Sequence, residues 1–377
     1  MNEDTSIKEK INVGINVSLV LNKFKNALSK LERVVGSRST LPILNNILIK
    51  VHKGGVELLA TDLEVGIKFN LGGKVEKEGS ITIPGRTLIN LVDNLHGDTI
   101  QLSSKNNILT LISGDSKANI NGMPADEFPV IPEVEVGKKV TLDTQVFKSM
   151  LSQVEFSASS EESRPILTGV YMISGSGSLT LVATDSYRLS ETVIKNGLGE
   201  EFNVVIPVKT LQEVRRMADE DASFELVVGE NQVMFVFKDA KLVSRIIEGD
   251  YPNYKQIIPS KSSTIAELDV QEFIDNLKTA HIFSVEGSHS VKLNVKPEGL
   301  VEITSESSQL GNFSAKLKAE VKGEGGEISF NARYLLDGLN SFETPRCTLG
   351  IESRSNPGVL KPSNVDGRVY IVMPLKQ

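Results

Sequence analysis

The chain has 377 residues, of which 40% are hydrophobic and 24% charged, and its formal net charge is −7. That balance fits a globular protein of two or three domains and excludes a uniformly basic nucleic-acid binder, but not a basic surface within an acidic molecule. The single cysteine, Cys347, excludes an intrachain disulfide and fits a reducing, cytoplasmic setting, and no apolar run approaches membrane-spanning length.

The opening Met1-Asn2-Glu3-Asp4 is acidic and lacks the apolar segment of a signal peptide; residues 1–10 are expected to form a disordered extension. From Val17 to Val35 the spacing predicts a helix, with Val20, Leu21, Phe24, Leu28, Leu31 and Val35 as its apolar stripe. Lys23, Asn26, Lys30 and Arg33 then share the opposite face. A loop, Gly36 to Thr40, carries Arg38. Strands are predicted over 43–51, 56–60, 65–71 and 80–83, a helix over 86–95, and strands over 100–103, 108–113 and 117–122. The second third of the chain repeats this order. A helix is predicted over 144–158, with Val146, Phe147, Met150, Leu151 and Val154 inward. Strands follow near 169–174, 178–184, 188–195 and 202–206, a helix over 208–218, and strands near 224–228, 232–238 and 241–247. The last third has a helix over 270–283, strands near 290–296, 300–305, 311–320 and 327–330, a helix ending at Phe342, and closing strands at 347–352 and 369–372.

One offset links the first two thirds, and the third follows at 124, with Asn331 answering Pro207. Ala60-Thr61-Asp62 and Ala183-Thr184-Asp185 are 123 positions apart, as are Pro42-Ile43-Leu44 and Pro165-Ile166-Leu167, Pro84 and Pro207, Pro129 and Pro252, and Phe24 and Phe147. Landmarks at one spacing define a domain-sized internal repeat. The expected domains are 11–137, 138–262 and 263–377, each an α+β unit of two helices packed on antiparallel strands.

Catalytic chemistry is hard to place on this chain. No phosphate-binding Gly-x-x-x-x-Gly-Lys-Ser/Thr loop and no Gly-x-Ser-x-Gly elbow occurs. His52, His96, His281 and His289 are scattered, and Cys347 reads as an inert thiol in a strand. Asp62 and Asp185 each follow a strand-ending Thr, where a carboxylate commonly binds turn amides, so a structural role outweighs a catalytic one. Tyr187-Arg188 is not repeated in the first copy, which has no basic residue at that corner, and is therefore a candidate binding feature. Basic residues recur on the predicted helices: Lys23, Lys30 and Arg33, then Lys148, Lys209, Arg215 and Arg216, then Lys278 and Arg333. Facing one side, they would read phosphates, not bases.

Several ordered motifs carry a resemblance. Thr40-Leu41-Pro42-Ile43-Leu44, Ala60-Thr61-Asp62-Leu63-Glu64, Asp126-Glu127-Phe128-Pro129, Ala183 to Leu189, Gly249-Asp250-Tyr251-Pro252-Asn253-Tyr254 and the tail Tyr370 to Leu375 resemble the bacterial DNA polymerase III beta subunits, the sliding clamps, over about residues 11–377. The resemblance implies three clamp domains per chain and a head-to-tail homodimer closing into a ring of six. Its helices would line a pore around duplex DNA, bound without regard to sequence. It implies a non-catalytic processivity factor, without metal or cofactor, that docks the DNA polymerase III catalytic subunit, clamp-loader subunits and other proteins carrying a clamp-binding motif. Their peptides would enter a pocket of Leu167, Thr184, Ser186, Tyr187, Arg188, Leu189, Pro252, Ile257, Ile371, Val372, Met373, Pro374 and Leu375. Ser186-Tyr187 stands where the family often has Gly-His, which implies a shifted peptide preference. DNA-facing residues would be Lys23, Lys30, Arg33, Arg38, Lys148, Lys209, Arg216, Lys278 and Arg333. The dimer contact would set Lys117, Ala118 and Ile120 against Ile282 and Phe283, with Ala118 smaller than the usual aromatic and the interface correspondingly weaker. The competing classes are a DNA hydrolase, which would need clustered carboxylates for metals, and a scaffold that does not bind DNA.

Overall fold

A computed structural model describes residues 14–35, 41–195, 199–284 and 288–375. The expected extension 1–10 and Arg38 lie outside the described residues. The first repeat contains β1 (Asn16–Val20), α1 (Leu21–Leu31), β2 (Asn46–His52), β3 (Gly55–Thr61), β4 (Val65–Leu71), β5 (Lys74–Lys77), β6 (Gly79–Pro84), α2 (Gly85–Asp93), β7 (Thr99–Lys105), β8 (Ile108–Ser113) and β9 (Ser116–Asn121). The second contains β10 (Lys138–Asp143), α3 (Thr144–Ser152), β11 (Gly169–Gly175), β12 (Ser178–Thr184), β13 (Arg188–Lys195), β14 (Phe202–Pro207), α4 (Val208–Met217), β15 (Ser223–Val228), β16 (Gln232–Val236) and β17 (Ala240–Arg245). The third contains β18 (Thr264–Asp269), α5 (Val270–Ile282), β19 (Ser290–Lys296), β20 (Leu300–Ser307), β21 (Gly311–Lys318), β22 (Glu320–Lys322), β23 (Gly326–Asn331), α6 (Ala332–Asn340), β24 (Arg346–Ile351), β25 (Gly358–Pro362) and β26 (Arg368–Val372). The α+β grammar is thus present three times.

The strands sort differently from the repeats. Among the described residues, one compact unit comprises those up to 142 with 213–245, and the other those of 143–212 with those from 246 onward, the division passing through α4. The first unit holds a sheet ordered β5-β1-β7-β8-β9 and another ordered β10-β15-β16-β17-β4-β3-β2-β6. The second holds a sheet ordered β14-β11-β12-β13-β26-β25-β24-β18-β22 and another ordered β21-β20-β19-β23. The middle repeat is shared out because two antiparallel pairings join successive repeats. β17 pairs with β4, with Val243 opposite Gly66, and β26 pairs with β13, with Ile371 opposite Leu189. Backbone hydrogen bonds follow sheets, not sequence repeats.

Helices form where an apolar stripe recurs near every 3.6 residues. Leu21, Phe24, Ala27, Leu28 and Leu31 are buried on α1, and Val270, Phe273, Ile274, Leu277 and Ala280 on α5. Phe24, Phe147 and Phe273 occupy corresponding places and are at most 1% exposed. Side chains close the starts of three helices: Asp143 accepts from the Val146 amide at 2.9 Å, Asp269 from Glu272 at 2.8 Å, and Asn331 from Arg333 at 2.9 Å.

Some expected elements differ. Residues 17–20 belong to a strand, not to the first helix. Val17 and Leu19 are buried and the segment pairs with β7, so cross-strand burial of apolar side chains overrides a helix-like spacing. Residues 42–45 form a single turn of 3-10 helix before β2, set by Pro42 at its start. The third helix stops at Ser152, and Val146 faces solvent at 42% exposure because Thr144, Phe147, Met150 and Leu151 already fill the inward stripe. The run 311–320 is two strands, and β5, β10, β18 and β25 were not expected. Among the described residues, no helix is long and apolar enough to cross a membrane.

Candidate functional site

The β12–β13 corner is built by its own polar atoms. Thr184 Oγ1 donates to the Arg188 carbonyl at 2.6 Å and accepts from the Ser186 amide at 3.1 Å. Asp185 Oδ1 accepts from the amides of Tyr187 and Arg188, both at 2.9 Å. The β3–β4 corner repeats this set. Thr61 donates to the Val65 carbonyl at 2.9 Å, and Asp62 accepts from Glu64 at 3.0 Å and Val65 at 2.7 Å. Leu63 and Ser186, at the same place in the two copies, have φ of 78° and 77°. A left-handed non-glycine residue costs about 1–2 kcal/mol, and the Asp and Thr bonds offset that cost. Both aspartates are therefore turn-forming residues.

What is unique to the second corner is Tyr187-Arg188. The Arg188 guanidinium donates from Nε to Asp185 at 2.9 Å and from Nη1 to Asp337 on α6 at 2.5 Å. It lies 4.6 Å from the Tyr334 ring centre and 5.7 Å from that of Phe156. Tyr187 is 60% exposed and stacks on Tyr334 with centroids 6.4 Å apart. Burial raises the Tyr334 pKa, so its hydroxyl stays protonated at neutral pH. Tyr334 is positioned from beneath: the buried Tyr370 hydroxyl donates to its carbonyl at 2.8 Å. That packing needs Gly338 on α6, where a Cβ would come within 2.2 Å of the Tyr370 ring. Packing here decides against helix propensity, which disfavours glycine by about 1 kcal/mol.

The C-terminal tail passes between this corner and β23. The Met373 amide donates to the Tyr187 carbonyl, and the Leu375 amide to that of Ser329, each at 2.8 Å. Beside it lies a cavity of about 540 Å³, lined by Glu327, Ile328, Ser329, Arg354, Ser355, Met373, Pro374 and Leu375. Of the residues expected to form a pocket, Met373, Pro374 and Leu375 line this cavity. Ser186, Tyr187, Pro252 and Ile257 are exposed, whereas Leu167, Thr184, Leu189, Ile371 and Val372 are buried. Sequence reasoning missed Tyr334, Asp337, Ser329, Arg354 and Ser355. The Tyr334–Asp337 pair sits at i, i+3 on one helix face, the one signal in the chain that pointed there.

The helix cations divide into two groups. Lys23, Lys209, Lys278 and Arg333 are exposed, and Arg86 on α2 joins them; Lys148 is half-buried. Arg33 lies past the end of α1, not on its face, and ion-pairs with Glu213 at 3.3 Å. Lys30 and Arg216 are committed elsewhere. Arg216 donates to the carbonyls of Ser29 at 2.8 Å and Lys30 at 2.6 Å, while Lys30 donates to the Arg216 carbonyl at 3.0 Å. Each cation closes the carbonyl end of the other's helix.

His281 and His289, scattered in sequence, come together with ring centres 5.0 Å apart. Burial lowers both pKa values, and Arg333 acts the same way. A neighbouring cation makes this pair unsuited to a metal ion, and among the described residues no group of three or more His, Cys, Asp or Glu side chains could hold one. Cys347 is pushed up to about 12 by burial, keeping it a thiol.

Two sheet edges bear on the expected dimer contact. β9 ends the five-stranded sheet, with Lys117 exposed, Ala118 half-buried and Ile120 buried. β21 ends the four-stranded sheet, and Phe313 on it stacks against Phe283 with centroids 6.3 Å apart. Ile282 and Phe283 lie at the end of α5, not on an edge strand, and Ile282 is 58% exposed.

Comparison with known proteins agrees along the chain. Profiles for the N-terminal, central and C-terminal domains of the DNA polymerase III beta subunit match residues 15–132, 141–253 and 255–376. The beta sliding clamp of Staphylococcus epidermidis is 31% identical over 366 residues, covering 94% of this chain and 97% of that protein. That of Bacillus subtilis is 32% identical over 358 residues, covering 91% and 95%. The crystal structure of the B. subtilis DNA polymerase sliding clamp superimposes with a TM-score of 0.92 at 28% identity, over 96% of this chain and 99% of that one. The DNA polymerase III beta chain of Streptococcus pneumoniae gives 0.93 at 28%, over 96% and 100%.

Proposed function

The chain belongs to the DNA polymerase III beta subunit family, the beta sliding clamps, and on that premise we propose how its own residues do the clamp's work. It is a DNA sliding clamp, a homodimeric ring that encircles duplex DNA and tethers the replicative polymerase for processive synthesis, and it docks other replication and repair proteins. It is a processivity factor and not an enzyme. The observation that carries this is the unbroken succession of three clamp domains along one chain. Its domains are taken as 11–137, 138–262 and 263–377, and its place as the bacterial cytoplasm, where chromosomal DNA is copied.

Three assignments follow. The repeat logic that pairs β4 with β17 and β13 with β26 leaves β21 and β9 as the corresponding strands without such a partner. β21 of one copy pairs with β9 of the next, with Phe313, Phe283 and Ile282 packing beside Lys117, Ala118 and Ile120. Lys23, Lys30, Arg33, Lys148, Lys209, Arg216, Lys278 and Arg333 face the DNA and contact phosphates without reading bases. Partner peptides lie against Tyr187, Pro252, Ile257 and the Met373–Leu375 tail, over the buried floor of Leu167, Thr184, Leu189, Ile371 and Val372. Met373 is a flexible apolar side chain suited to several partners.

The test is topological. The loaded protein should remain on nicked circular DNA and leave quickly once the circle is linearised. Equal retention on both forms, or binding to neither, would remove the ring.

A further inference from the structure

The first repeat carries its own copy of the corner, and a cavity lies against it. The Arg245 amide donates to the Glu64 carbonyl at 3.1 Å, as the Met373 amide does to the Tyr187 carbonyl. β17 therefore passes the β3–β4 corner as β26 passes the β12–β13 corner. The cavity here is about 410 Å³ and shares no residue with the peptide site proposed above. Buried Ile131 and Val243 line it, and Gly66 admits Ile131, since a Cβ there would come within 2.7 Å of the Ile131 side chain. Two apolar side chains of the lining meet solvent, Leu63 at 47% exposure and Val130 at 89%. Leu63 also holds φ at 78°, a left-handed backbone that asparagine or glycine adopts at lower cost. A leucine kept where solvation and backbone both disfavour it marks a contact surface, not a need of the fold. The Gln232 carboxamide stands half-buried in the lining, and among the described residues it has no hydrogen-bond partner. The lining holds one acid, Glu64, and one base, Arg245, so it favours neither sign of charge.

We propose that this cavity is a second docking site, taken by an extended, uncharged segment of a partner protein that seats a leucine or isoleucine against Leu63 and Val130. An extended segment presents free backbone N–H and C=O groups, and the Gln232 carboxamide can accept from the one and donate to the other. That complement suits a peptide main chain and not a lipid chain. One aliphatic side chain and one amide contact bind weakly, with a Kd on the order of a millimolar, so the site acts on partners already held at another contact. The inference goes beyond the peptide site proposed above and rests on it only for the likeness of the two corners.

The experiment uses the full-length protein, labelled in the methyl groups of leucine, valine and methionine, and the blocked peptide acetyl-Ser-Leu-Ser-Leu-Ser-amide. Methyl NMR should show the Leu63 and Val130 signals shifting saturably as the peptide is raised into the millimolar range. Leu63→Asn, which suits the left-handed backbone, should raise the Kd read at Val130 about tenfold, the scale of one lost aliphatic contact, without lowering the melting temperature. Gln232→Met, which keeps the length and removes the amide, should raise it about fivefold. No saturable shift at Leu63 and Val130, or an unchanged Kd in Leu63→Asn, overturns the second site, and a saturable shift of Met373 in the same titration leaves the tail site standing. Shifts at Leu63 and Val130 with none at Met373 support the second site and remove the tail site. Shifts of these methyls that follow protein concentration with no peptide present assign the cavity to a second copy of the chain and overturn the peptide occupant.

Discussion

Arg188 lies at the centre of the corner proposed to bind partners, yet its own contacts point inward, so replacing it with Met separates scaffold from contact surface. Met keeps an apolar stem against Phe156 and Tyr334 and removes the charge. The Arg188 side chain is 12% exposed and its two carboxylate partners, Asp185 and Asp337, are 14% and 44% exposed. Breaking a buried pair from one side costs about 3–5 kcal/mol. Asp337 is exposed enough to regain water, which places the loss at the lower end, about 3 kcal/mol. Asp185 retains two backbone amides, so the corner itself should persist. For a cooperative unit of about 200 residues, that loss lowers the melting temperature by roughly 6–12 °C. Differential scanning calorimetry on Arg188→Met, with Tyr187→Ala as companion, measures it. Tyr187→Ala should melt within about 2 °C of wild type, because that ring is largely solvated, and should lose partner-peptide affinity. A calorimetric shift below about 1 kcal/mol for Arg188→Met would refute the reading of this arginine as a structural anchor.

Replacing both Lys209 and Lys278 with Glu should weaken DNA binding and flatten the dependence of log K on log salt; an unaltered slope in filter binding would take these lysines off the DNA-facing surface. Ile282→Asp should shift the protein towards monomer in light scattering without lowering its melting temperature by more than a few degrees, since the side chain is 58% exposed; an intact dimer at micromolar concentration would move the interface elsewhere. Glu133 is held down to about 2 by hydrogen bonds from Lys241 and then Lys68, against an ordinary value of 4.5. Its folded pKa is depressed, so its stabilisation is present above the unfolded value and is lost as pH falls from about 4.5 towards 2. Glu133→Gln should therefore reduce the difference in denaturation midpoint between pH 6 and pH 3, and an equal difference in both proteins would contradict the linkage.

The sequence by itself determined the repeat, the α+β class, most strands and the six α-helices of the described residues, because those depend on periodic burial within short windows. Val65–Leu71, Ile108–Ser113, Ser178–Thr184, Arg188–Lys195 and Ser290–Lys296 fall where alternation placed them. It also separated a shared Ala-Thr-Asp corner from an unshared Tyr187-Arg188, since two copies of one motif can be compared without a structure. Only tertiary structure decided what those side chains meet. Residues 17–20 follow the pairing with β7 and not their helix-like spacing. Lys30 and Arg216 cap one another's helices across 186 positions. Asp337 and Tyr334 reach Arg188 from the far end of the chain, and Arg354 lines the cavity beside the tail. These are long-range meetings of polar atoms. No local pattern encodes them, because a hydrogen bond or an ion pair depends on where two side chains come to rest and not on the spacing of either within its own element.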